Sequence, residues 1–100
     1  MVNPRLAAPP SPIRDRAEVS EEVKQIVAER AGRPAVRIKE TDSLEQDLGL
    51  DSLDQVEIVM EVEEEFDLHV PDEVANRART VGGIVDGVMS LLESARDDTP

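Results

Sequence analysis

The chain has 100 residues and no cysteine, and its 23 acids against 11 basic residues give a formal charge of −12. That length holds one small domain with a modest core. The lack of cysteine excludes disulfides, thiolate metal sites and a cysteine nucleophile, and the acidity disfavours nucleic acid and anionic membranes, which it repels. A protein partner with a basic surface is the natural complement. No apolar run is long enough for membrane insertion and the N-terminus has no continuous apolar leader, so the expected location is cytoplasmic. The apolar set is aliphatic apart from Phe66, and a core of that kind rearranges at lower cost than one filled by rings.

Along the chain, Pro4, Pro9, Pro10 and Pro12 bar a helix from the first stretch, so residues 1–15 read as a disordered Pro-rich tail. A first helix presents Val19, Val23, Ile26 and Val27 on one face and stops at Ala31 and Gly32, with Pro34 enforcing the stop. The connection from Gly32 to Asp51 is long, but Ser43 and Gln46 have capping-box spacing and Val36, Ile38, Leu44 and Leu48 can pin it to a core, so it is expected to be ordered. A second helix spans Ser52 to Phe66, and a short third follows Pro71. The last starts after Thr80 as N-cap and aligns Val81, Ile84, Val85, Val88, Leu91 and Leu92. Gly82, Gly83 and Gly87 lie off that arc. Each costs about 1 kcal/mol against alanine with no packing gain visible in sequence, which predicts a locally unstable last helix. The expected fold is all-α, a monomeric antiparallel four-helix bundle with three longer helices and one short, over residues 16–94, followed by a tail at 95–100.

Charge is concentrated: Asp42 to Glu73 holds thirteen acids and no lysine or arginine, so the rest of the chain carries a net +1. At about 100° per residue, Asp54, Glu57, Glu61, Glu64 and Glu65 fall on one arc of the second helix. Val56, Ile58, Val59, Val62 and Phe66 fall on the other side, with Leu53 and Met60 on the border. Such an arc is either a solvated face or a docking surface; like charges at helical spacing repel, which favours docking. At the head of the helix, Ser52 fits two roles. With Gln55 it has capping-box spacing, so its hydroxyl can satisfy a free backbone N–H. It also stands where free N–H groups and the helix dipole favour an attached phosphodiester, with Gly49 available for a tight turn.

The string from Asp47 through Leu48, Gly49, Leu50, Asp51, Ser52, Leu53, Asp54, Gln55 and Val56 to Glu57, continued by Ile58-Val59-Met60 and Glu63-Glu64-Glu65-Phe66, resembles the prosthetic-group site and second helix of bacterial fatty-acid-type acyl carrier proteins. Val70-Pro71-Asp72-Glu73 stands at the matching distance, and the similarity covers roughly Glu18 to Ser94. The resemblance implies a non-enzymatic carrier. A phosphopantetheinyl transferase would attach 4′-phosphopantetheine to Ser52, flanked by Asp51 and Leu53, and acyl groups would ride on the arm as thioesters. It implies further that Asp54, Val56, Glu57, Met60, Glu61 and Glu64 meet basic patches on acyl synthases, acyltransferases and similar enzymes. Val59, Met60, Val62, Phe66, Val70 and Ala78 would line an acyl cavity. Three positions depart from the family pattern: Glu61 stands where a small residue is common, Asn76 where an acid is frequent and Ala78 where a larger aliphatic is usual.

The alternatives are a specialised carrier for lipid A, polyketide or aminoacyl intermediates, and a non-carrier acidic helical adaptor. A calcium module is disfavoured, because Asp47, Asp51 and Asp54 lack the loop spacing and distal glutamate of such sites, and no metal ligand set is expected. An enzyme is disfavoured too. His69, the single histidine, reads as a surface loop residue with no nucleophile beside it.

Overall fold

A computed structural model describes residues 15–97, with side chains for 15–94. The residues 1–14 and 98–100, read above as parts of the two tails, lie outside the described residues. Among the described residues there are four helices, α1 (Arg16–Ala31), α2 (Ser52–Phe66), α3 (Asp72–Arg77) and α4 (Val81–Asp97), and a 3-10 turn at Ala35–Arg37. The bundle is all-α, with three longer helices and one short, and among the described residues it contains no strand. None of these helices is long and apolar enough to cross a membrane. α4 continues to Asp97, into the stretch read as a C-terminal tail.

α1 packs on both α2 and α4, and α3 packs on α4. The periodic residues of α1 and α4 fill the core: Val19, Val23, Val27, Val81 and Val85 are fully buried, joined by Ile58 and Val62 of α2. Gly32 ends α1 in the left-handed conformation (φ 68°), its N–H donating to the Ala28 carbonyl. Asp67 ends α2 the same way at φ 53° without being a glycine. Short polar side chains tolerate that region better than most.

The long connection is ordered, though not entirely by the expected anchors. Ile38, Leu44 and Leu48 are buried and Leu50 joins them, whereas Val36 is 89% exposed. The 3-10 turn aims Val36 outward, which periodicity in a loop cannot reveal. The Ser43 hydroxyl accepts from the Gln46 N–H at 3.0 Å, and the return bond to the Ser43 N–H comes from Asp47, not Gln46. Gly49 completes this turn at φ 66°.

The same connection closes the start of α4. Val81 and Gly82 donate their N–H groups to the carbonyls of Asp42 (3.1 Å) and Glu40 (2.8 Å), and Leu44 donates to Arg79 (3.0 Å). Thr80 is the cap expected, its Oγ1 accepting from Gly83 at 3.0 Å. The glycines correct the expectation that they bring no packing gain. A Cβ on Gly82 would stand 3.0 Å from the Glu40 carbonyl oxygen, one on Gly83 3.2 Å from the Ala78 Cα, and one on Gly87 3.0 Å from the Val74 Cγ1. They let the loop and α3 approach α4 more closely than a side chain would allow.

Beside this seam, Glu40 joins three elements. Its carboxylate accepts from the buried Ser20 hydroxyl at 2.8 Å and from Arg16 at 2.5 Å, while Arg16 also bonds Asp86 at 2.6 Å. The Ser20 hydroxyl, followed by the Arg16 guanidinium, holds the Glu40 carboxyl below the usual carboxylate range.

Candidate functional site

The head of α2 shows which residue caps the helix. Asp51 is the N-cap, with extended backbone, and its Oδ1 accepts from the Asp54 N–H at 2.9 Å. Asp54 returns a bond through Oδ2 to the Asp51 N–H at 3.2 Å, completing a capping box. The box expected between Ser52 and Gln55 is therefore shifted by one residue. Gln55 instead sends its side-chain amide to the Leu50 carbonyl at 3.1 Å.

This shift changes what Ser52 does. It is the first residue of α2, exposed, and its hydroxyl makes no hydrogen bond among the described residues. The backbone N–H groups of Ser52 and Leu53 are likewise unbonded, whereas that of Gln55 reaches the Asp51 carbonyl at 3.0 Å. Two free donors and the positive end of a fifteen-residue helix therefore surround a free hydroxyl, which is the environment a phosphodiester needs. Asp47, Asp51 and Asp54 each turn a carboxylate oxygen to a backbone N–H, and among the described residues no three acids or histidines gather as a metal cluster.

Down the outer face of α2, Leu53 (65% exposed), Val56 (54%) and Met60 (57%) stand in solvent with Glu64. The helical wheel had set Val56 on the core side; the actual tilt of α2 turns it out. Glu57 and Glu61 lie along the edge facing α1, where both meet Arg30.

A groove leads from Ser52 past Val56, Val59 and Met60 to Val70 and Ala78. Behind it, between α2, α3 and α4, lies an apolar nook of about 20 Å³, room for a single water. Of the residues named above for an acyl cavity, Val59, Val62, Val70 and Ala78 line this nook. Met60 and Phe66 do not: Met60 belongs to the outer groove, and Phe66 is buried at the far end of α2. Sequence reasoning missed Val74, Ala75, Gly83, Ile84, Gly87 and Val88 in the lining. The spacing of Gly83 and Gly87, one helical turn apart, was the available signal.

Residues 21–88 match the family described as "Phosphopantetheine attachment site". The chain belongs to that family. Within it, the chain is of the bacterial acyl carrier type: a carrier with no catalytic role of its own, whose cofactor is covalent 4′-phosphopantetheine. It is 45% identical over 75 residues to an acyl carrier protein of Clostridium acetobutylicum, a match spanning 75% of this chain and 97% of that one. Its fold is similar to the solved structure of the acyl carrier protein from Enterococcus faecalis, with a TM-score of 0.66 and 32% identity over 78% of this chain and 99% of the other.

Proposed function

We propose that Ser52 is the residue that holds the phosphopantetheine arm, and that α2 presents the carrier to its partner enzymes in fatty-acid-type biosynthesis in the cytoplasm. The observation that carries this reading is the exposed Ser52 hydroxyl, which has no partner among the described residues because Asp51 and Asp54 complete the cap between themselves. When attached, the group supplies a terminal thiol for acyl thioesters, a function this cysteine-free chain cannot provide. The Ser52 and Leu53 N–H groups would favour the phosphodiester, and Asp51 and Leu53 would border it.

Asp54, Val56, Glu57, Met60, Glu61 and Glu64 form the face offered to a phosphopantetheinyl transferase and to acyl synthases and acyltransferases with basic surfaces. Charge complementarity of this kind gives fast, salt-sensitive and reversible encounters, which suits a carrier visiting several enzymes. The nook behind the groove is the natural shelter for an acyl chain, each buried methylene contributing about 0.8 kcal/mol. Because it holds only about 20 Å³, shelter requires its walls to part.

The test is covalent. With coenzyme A and a broad-specificity transferase, intact mass should rise by one phosphopantetheine for the wild type and stay unchanged for Ser52→Ala. No addition to the wild type, or equal addition to both, would reject the assignment of Ser52.

A further inference from the structure

The acidic face of α2 is less free than its composition suggests. Of the six carboxylates of α2, Asp54 closes the capping box. Glu63 accepts from the Val70 N–H at 2.8 Å and faces His69 Nδ1 at 3.3 Å. Glu57 and Glu61 converge on one cation: Arg30 Nη1 is 2.5 Å from Glu57 Oε1, and Nη2 is 3.3 Å from Glu61 Oε2. Only Glu64 and Glu65 are without a bonded partner among the described residues. The stretch from Asp42 to Glu73 has no cation of its own, so the charge that quenches this edge is supplied by α1.

We infer that Arg30 sets the strength with which basic partners dock. It occupies on Glu57 and Glu61 the seats that a partner's arginine or lysine would take. This rests on the reading of α2 as the docking face. In the resting molecule that face is reduced to the exposed Leu53, Val56 and Met60 with Glu64 and Glu65 as its unpaired carboxylates among the described residues, which fits a partner with an apolar cleft rimmed by basic side chains. The three charged groups are each between one-third and two-fifths exposed, with side-chain exposures of 33%, 40% and 37% for Arg30, Glu57 and Glu61. Ion pairs that wet are weak, so Arg30 acts as a displaceable competitor and not as a lock. Glu61 is one of the positions where this chain departs from the family pattern, and here it supplies the second oxygen that holds Arg30 over the stripe.

The kcat/KM of phosphopantetheinyl transfer reads this competition, at salt of about 0.01 M and about 0.15 M, where screening lengths are roughly 30 Å and 8 Å. Arg30→Gln is expected to raise it about threefold to tenfold at low salt, with a steeper fall on adding salt, and Arg30→Lys to stay near the wild type. Glu57→Gln with Glu61→Gln is expected to cost less than about twofold when Arg30 is present and clearly more in the Arg30→Gln background. An Arg30→Gln protein that is no faster at low salt, or a carboxamide pair that costs the same in both backgrounds, would overturn the inference. If the wild type takes up no phosphopantetheine, the assignment of Ser52 falls instead. The same variants titrated with a lysine-rich peptide then decide the role of Arg30, tighter binding by Arg30→Gln supporting it and equal binding rejecting it.

Discussion

The starts of α2 and α4 lie in one small bundle and are finished in opposite ways. At α4 the first donors are all used: Val81 and Gly82 by the carbonyls of the long connection, Gly83 by the Thr80 hydroxyl and Ile84 by the Thr80 carbonyl. At α2 the cap comes from two neighbouring acids, and the donors of Ser52 and Leu53 remain open beside an exposed hydroxyl. One helix start has been converted into packing, where a glycine is needed for backbone to meet backbone. The other has been kept out of the packing, where chemistry can reach it.

That contrast can be broken most severely at Gly82. Replacing it with valine drives a side chain into the Glu40 carbonyl oxygen, 3.0 Å from the β-carbon position, and should cost about 2 kcal/mol in urea unfolding. A loss below about half that would mean the closed start is not tightly closed. At the open start, Asp51→Ala should cost about 1 kcal/mol through loss of the cap, whereas Ser52→Ala should stay within about 0.5 kcal/mol. The reverse ranking would return the capping role to Ser52.

The smallest effect concerns Glu40, whose carbonyl serves the closed start and whose carboxylate ties Ser20 to Arg16. Its folded-state pKa is lowered, so its contribution is present above the ordinary glutamate pKa of about 4.3 and is lost as pH falls through the folded value. Glu40→Gln should therefore be less stable than the wild type at neutral pH by a few tenths of a kcal/mol, and the gap should close on acidification below about pH 4. A gap that persists at low pH would assign the effect to packing.

The helices themselves were legible because their signals are local. Val19 to Val27 and Val81 to Leu92 repeat with the helical period, Gly32 and Thr80 mark ends, and the second helix runs from Ser52 to Phe66 as its pattern indicates. The cap of α2 was misplaced by one residue because Asp51 with Asp54 and Ser52 with Gln55 satisfy the same spacing. In the structure it is Asp51 that keeps the extended backbone of an N-cap, directly after the turn through Gly49 and Leu50. The use of Gly82 depends on Glu40, and the state of Glu57 and Glu61 depends on Arg30. These partners are remote in sequence, and their meeting is a product of how the helices pack. Val36 failed for the same reason in reverse, since an apolar residue in a turn faces the core only if the turn brings it there.

α3 is six residues long and contributes no fully buried side chain, yet it forms one wall of the apolar nook. Opposite it, α4 presents two glycines, Gly87 against the Val74 side chain and Gly83 against the Ala78 backbone. A short helix with no buried side chain is held by less packing than its longer neighbours. On the proposed function, cargo pressing from within the nook would lift α3 before disturbing the α1–α4 core, and the length of chain accommodated would be governed by how far that one short helix can travel.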